Sequence, residues 1–176
     1  MKKHLLIMVG ILFSITLLFL VFNRTDEIYY PVTAMSYTIV DNQMVADKFS
    51  MDIAENWNIQ ALAGVTFLNA PSGGSNVNIL REYRQGLSFE DYSRILLNNK
   101  ISIFNEVTDL NYYFLTINGQ RAFYKSFTNE ISSITRFIFD DGIFAFVITY
   151  IEAWQNEYLD EFFQMVHSFR LVKYEL

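Results

Sequence analysis

The stretch 107–151, VTDLNYYFLTINGQRAFYKSFTNEISSITRFIFDDGIFAFVITYI, decides how this chain folds. It reads as antiparallel strands punctuated by two turns. Asn118-Gly119 joins 112–117 to 120–127, and Asp140-Asp141-Gly142 joins 134–139 to 143–151. Asn-Gly and Asp-Gly supply positive φ at little steric cost, so between apolar runs they are the strongest short-range hairpin signals. The run 143–151, IFAFVITYI, carries no charge. A strand of that kind belongs in the middle of a sheet with both faces covered.

The sequence on either side fills in the rest of an α+β domain. Upstream, 37–41 and 48–53 alternate as strands, with Phe49, Met51 and Ile53 on one face and a turn at Asp41-Asn42-Gln43. Trp57 is expected to plug one edge of the core. A short strand at 65–68 precedes the loop 70–76, APSGGSN, and 77–84 follows as a strand whose Arg81 and Arg84 carry it into water. Ser88-Phe89-Glu90-Asp91 opens a helix running to about Asn98, with Ser88 as cap and two carboxylates at the positive end of the dipole. Phe89, Tyr92, Ile95, Leu96 and Asn99 share one face of it. A second helix is expected over 152–169, burying Trp154, Tyr158, Phe162, Met165, Val166 and Phe169. The sum is an antiparallel sheet of six or seven strands flanked by helices, an α-β-α sandwich over 37–176.

The N-terminal end has a different character. Lys2, Lys3 and His4 precede 5–22, LLIMVGILFSITLLFLVF, 18 residues without a charge. Such a segment spans roughly 27 Å as a helix, close to the hydrocarbon thickness of a bilayer. Leu5, Leu6, Ile7, Leu12, Phe13, Leu17, Leu18, Phe19 and Phe22 would face lipid. The far flank, Asn23 to Glu27, nets negative, so the positive-inside rule puts the N-terminus in the cytoplasm and the domain outside. A cleaved signal peptide is the competing reading, and a buried core helix a third. Leu20, Val21, Phe22 and Asn23 lack the small residues of a cleavage site. Residues 1–24 are thus expected to be a cytoplasmic tip and transmembrane anchor, and 25–36, with Pro31, a linker.

Composition excludes several functions. The chain has 176 residues, a formal charge of −6 and no cysteine. Without cysteine there is no disulfide, thiolate metal site or thiol nucleophile. From residue 28 onward there are 10 Lys and Arg against 17 Asp and Glu, a net −7 that repels phosphate backbones and argues against nucleic acid. His167, at the end of the last helix, is the one histidine outside the tip and reads as structural. No nucleophile elbow, zinc-protease motif or phosphate loop accompanies it, and Gly73-Gly74 follows a proline and precedes a strand. Asp140-Asp141 and Glu90-Asp91 are neighbours at a turn and a helix start, where solvation is expected rather than paired acid–base work. Arg81, Arg84 and Arg94 read either as a small basic spot near the first helix or, more plainly, as surface cations paired with Glu82, Glu90 and Asp91. No catalytic residue, metal ligand or cofactor site emerges. Tyr112, Tyr113 and Phe114 put aromatic rings on both faces of one strand. Core packing is one outcome for them, and a contact surface is the functional one.

Several short motifs together resemble one family. The stretch 49–57, FSMDIAENW, is similar to its opening strand-then-Trp signature, 87–92, LSFEDY, to its helix start, and 117–122, INGQRA, to its ING-x-x-A hairpin. Tyr150 with His167-Ser168-Phe169 resembles its closing helix. The family is the PsbP-like group, which includes an extrinsic photosystem II protein and bacterial exported proteins such as the DcrB-like ones, and shares its fold with the Ran-binding Mog proteins. Ala54 stands where a proline is usual, and the apolar segment 5–22 replaces a lipoprotein cysteine. The resemblance implies a non-catalytic domain on the export side; with the apolar segment as anchor, the leading expectation is a domain held at the cell membrane that binds an envelope protein partner and no cofactor. A small-ligand or lipid pocket between helix and sheet is the alternative, and a hydrolase using His167 is third.

Overall fold

The computed structural model describes residues 36–62, 65–98, 109–128, 132–152 and 157–172. The expected anchor, its tip with His4, the linker to residue 35, Asn99 and Trp154 lie outside the described residues. Among those described, no helix is long and apolar enough to cross a membrane.

Eleven strands and two helices are present in that set. In chain order they are β1 (Tyr37–Val40), β2 (Gln43–Ala46), β3 (Phe49–Asp52), β4 (Asn58–Leu62), β5 (Val65–Asn69) and β6 (Ser75–Tyr83). Then come α1 (Phe89–Asn98), β7 (Asp109–Ile117), β8 (Gln120–Thr128), β9 (Ser133–Asp141), β10 (Phe144–Glu152), α2 (Leu159–Ser168) and β11 (Arg170–Leu171). Seven strands form one antiparallel sheet in the order β4-β5-β6-β10-β9-β8-β7. The other four, β1-β2-β3-β11, form a second antiparallel sheet.

β10 sits in the middle of the large sheet, as its uncharged sequence requires. It pairs with β6 on one side and β9 on the other, and everything from Ala145 to Glu152 is buried. Its alternation serves two layers. Phe146, Ile148 and Tyr150 face α2 and the small sheet, while Ala145 and Val147 face α1. A fully buried Phe such as Phe146 stabilises the fold by about 1.5–3 kcal/mol.

The two hairpin turns form as read, with one shift. Asn118 and Gly119 both take positive φ, 51° and 73°, which is the backbone a I′ turn needs. In the second hairpin the turn is Gly142-Ile143, with Gly142 at φ 71°. Asp140 and Asp141 are therefore strand residues of β9 and not a solvated turn, because each carboxylate has a cation to meet across the sheet.

Both helices cover apolar faces. Ser88 Oγ accepts the Asp91 amide at 3.1 Å and caps α1, whose Phe89, Tyr92 and Leu96 pack on Phe123, Ile138 and Val147. α2 lies on the opposite face. Its Phe162, Met165 and Val166, together with Phe169, join Phe137, Phe139 and Tyr150 of the large sheet to Phe49 and Met51 of the small one. Trp57 closes this core, its Nε1 donating to Glu161 Oε2 at 2.6 Å. The result is three layers: α1, the seven-stranded sheet, and α2 with the small sheet.

Three expectations need correction. The strands near 37–41 and 48–53 belong to the second sheet, completed by the short β2 and the C-terminal β11. The last helix begins at Leu159 rather than 152; Glu152 is the final residue of β10, buried there with Oε1 accepting the Glu157 amide at 2.8 Å. β6 does not run into water at Arg81–Arg84, since Glu82 and Arg84 are buried.

Candidate interaction surface

β7 is the edge strand of the large sheet, placed there because the Asn118-Gly119 turn folds 109–117 back along β8 over nine residue pairs. Its side chains alternate between the α1 face (Leu110, Tyr112, Phe114) and the α2 face (Tyr113, Leu115). Both faces of this strand leave side chains in solvent. Leu110, Tyr112, Tyr113 and Phe114 remain 45%, 53%, 53% and 44% exposed.

Each ring nonetheless has a support. Tyr113 stacks on Tyr124 at 4.7 Å, and Tyr124 meets Phe137 at 5.1 Å in the core. Phe114 leans on Phe123 at 4.9 Å and meets the edge of Phe89 at 6.0 Å; Tyr112 lies 6.4 Å from Phe123. The rings therefore show one side to the sheet and the other to solvent. The Arg121 guanidinium lies 5.2 Å from the Phe114 ring and ion-pairs with Glu90, whose carboxyl that bond holds below the usual range. Supported aromatic rings at the margin of a sheet offer a contact surface with little side-chain entropy left to lose.

The backbone of this edge is open too. In a hairpin closed by two residues, the pair flanking the turn, here Ile117 and Gln120, exchanges both hydrogen bonds, and bonded pairs then alternate. Ile117, Leu115, Tyr113 and Asn111 thus point N–H and C=O at β8. Thr116, Phe114, Tyr112 and Leu110 point theirs outward, where among the described residues the sheet has no further strand.

Tyr112 also ends a buried polar row that sequence reading missed. Asn78, Thr149, Arg136, Lys125 and Tyr112 are neighbours in register across β6, β10, β9, β8 and β7 on the α1 side. Arg136 Nε donates to Thr149 Oγ1 at 2.9 Å. Lys125 Nζ donates to the carbonyls of Leu96 and Leu97 at 3.1 Å each, closing the C-terminal end of α1. Burial, with repulsion from Arg136, lowers the Lys125 pKa to about 8. The signal was present in the sequence: Lys125 falls between Phe123 and Phe127 at strand spacing, on an inward-facing stripe.

Several other charged residues tie elements of the fold together. Arg81 pairs with Asp141 at 3.0 Å and Arg84 with Asp140 at 2.9 Å, and Arg84 also donates to the Phe144 and Leu87 carbonyls. These pairs, rather than contacts with Glu90 or Asp91, fasten β6 to β9 across the end of β10. Glu82 accepts the Tyr92 hydroxyl and so ties the sheet to α1. Burial pushes the carboxyl of Glu152 and the phenol of Tyr150 up from their ordinary values. His167 is exposed in the last turn of α2, where its carbonyl accepts Asn118 Nδ2 at 2.6 Å. Among the described residues no group of three or more His, Asp or Glu is arranged to hold a metal ion. Between α2 and the large sheet, rings pack on one another: Tyr150 on Phe162 at 5.0 Å, Phe137 on Phe162 at 5.9 Å and Phe139 on Phe169 at 4.3 Å.

No family model and no curated protein matches the chain. Solved structures do. The solution structure of cyanobacterial PsbP (CyanoP) from Synechocystis sp. PCC 6803 superposes with a TM-score of 0.53 at 9% identity, over 85% of this chain and 99% of that one. PA94, a protein of unknown function from Pseudomonas aeruginosa, gives 0.52 at 15% identity over 82% and 100%. A Bacteroides thetaiotaomicron crystal structure gives 0.50 at 16% identity, and the match covers 71% of this chain but 45% of that longer one. Identities this low carry fold and nothing more. The chain has a PsbP-like α+β fold.

Proposed function

We propose that this chain is a membrane-tethered, extracytoplasmic binding protein of the cell envelope, non-catalytic, with the outer edge of β7 as its contact surface. The observation that carries the reading is the solvent exposure of Leu110, Tyr112, Tyr113 and Phe114 on one open edge. A monomeric protein seldom leaves a long, uncharged aromatic edge strand bare. The tether is residues 5–22, uncharged between two lysines and an acidic flank, with the N-terminus cytoplasmic. The PsbP-like fold supports the reading only through its general form.

The test uses the full-length chain in its own membranes. A photo-crosslinking amino acid at Tyr113 is expected to give a discrete adduct with an envelope protein, and one at Gln60 on β4 is not. Equal adducts from both positions, or none from Tyr113, would overturn the contact surface. Extraction of the chain by alkaline carbonate would overturn the anchor separately.

A further inference from the structure

We propose that the partner at this edge is a second copy of the same chain, joined by antiparallel pairing of β7 with β7 across a two-fold axis. This rests on the reading of β7 as the contact edge and names its occupant. A two-fold axis perpendicular to a sheet pairs an edge strand with itself and keeps each face continuous. Three features of β7 meet the conditions of such self-pairing.

The first is parity. Only outward-pointing residues can exchange hydrogen bonds across the axis, and these are Leu110, Tyr112, Phe114 and Thr116. An axis at Tyr113 sets Tyr112 against Phe114 of the second copy, and Leu110 against Thr116. Both are outward-to-outward pairs, and all nine residues of Asp109–Ile117 overlap.

The second is charge. In self-pairing every charged residue near the axis faces its own kind, which costs stability. From Leu110 to Ile117 the strand has no charge, and Asp109 falls opposite Ile117 of the second copy, although the chain carries −6 overall. A partner of another sequence would place no such demand on β7.

The third is the match of side chains. On the α1 face Tyr112 meets Phe114 of the second copy twice, beside Phe123. On the α2 face the two Tyr113 rings meet over Tyr124. Aromatic cross-strand pairs are among the favourable ones in antiparallel sheets. The assembly is one continuous fourteen-stranded sheet, twice the seven strands of a single copy. Among the described strands, β4 is then the remaining open edge of each copy's large sheet.

The absence of cysteine makes the test clean. With the axis at Tyr113, its two Cα atoms form a non-bonded pair about 4.5 Å apart, within disulfide range. Full-length Tyr113→Cys in detergent, under mild oxidation, is expected to form a disulfide dimer roughly ten-fold or more faster than Gln60→Cys. Tyr113→Lys, which opposes two like charges at the axis, is expected to weaken dimerisation at least roughly ten-fold in sedimentation equilibrium, with unchanged far-UV circular dichroism. Equal oxidation rates at the two positions, or a monomeric parent protein, overturn the inference. If the parent is monomeric while the crosslinker at Tyr113 still captures another envelope protein, self-pairing falls and the contact edge stands. If neither is seen, both fall.

Discussion

The large sheet has two edges, and they are built differently. β4 is five residues, NIQAL, with Asn58, Gln60 and Ala61 exposed and Ile59 half-buried. β7 is nine residues, with four large apolar side chains open to solvent. Natural sheets protect their edges by keeping them short and polar. β4 follows that rule and β7 breaks it, within one sheet under one set of folding constraints. Stability alone does not ask for the exposed rings of Tyr112 and Tyr113. That difference is the ground on which β7 is proposed as the contact edge.

Substitutions at and beneath the two edges test how far that difference goes. The largest effect is expected from Phe123→Ala, which removes the buried ring supporting Tyr112 and Phe114. It should cost about 3–5 kcal/mol in denaturant melts and abolish crosslinking from Tyr113. Phe67→Ala, on β5 behind β4, should cost a similar amount while leaving that crosslink intact wherever the protein stays folded. Asn118→Ala comes next, at about 2 kcal/mol. It puts an unfavourable residue at positive φ and frees the His167 and Phe169 carbonyls, at 2.6 and 3.1 Å from Asn118 Nδ2, to be seen as a lower unfolding midpoint.

Lys125, paired in register with Tyr112, gives a pH signature. Its folded pKa of about 8 lies below its ordinary 10.5, so the unfolded chain binds the proton more tightly. Its contribution to stability must then rise as pH climbs from about 8 to 10.5. Lys125→Met is expected to remove that rise from a pH series of urea melts; an unchanged slope would mean another group is responsible. Smallest of all, Gln60→Lys on β4 should stay within about 0.5 kcal/mol of the parent and leave oligomeric state unchanged, since that edge is already polar. A large loss there would erase the distinction between the edges.

Much of this architecture was legible where local chemistry dictates it. Asn118-Gly119 and Gly142 announced both hairpins, and the uncharged 143–151 announced the central strand. Phe162, Met165 and Val166 announced the buried face of α2 by their spacing. What was missed depends on distant partners or on strands too short to show a period. β2 and β4, QMVA and NIQAL, are brief and mixed in polarity, and β11 has two residues. Charge misled at β6, where Arg81 and Arg84 were read as running into water, while Glu152 was read as the first residue of a helix. Yet Arg81 and Arg84 meet Asp141 and Asp140 two strands away, and Glu152 ends a strand whose partners cover it. The aromatic triplet on β7 was visible as a triplet, while its exposure follows from the edge position of β7, which only the pairing of distant strands sets.

The small sheet binds the start of the domain to its end. β3 pairs with β11, and the Asp52 amide donates to Ser168 Oγ at 2.8 Å across 116 positions of sequence. A chain made from its N-terminus at about 5–20 residues per second leaves β3 without that neighbour for roughly 6–23 s. During that interval Phe49 and Met51 have neither β11 nor α2 to cover them. Truncation before Leu159, which removes both elements, should therefore leave these two side chains uncovered.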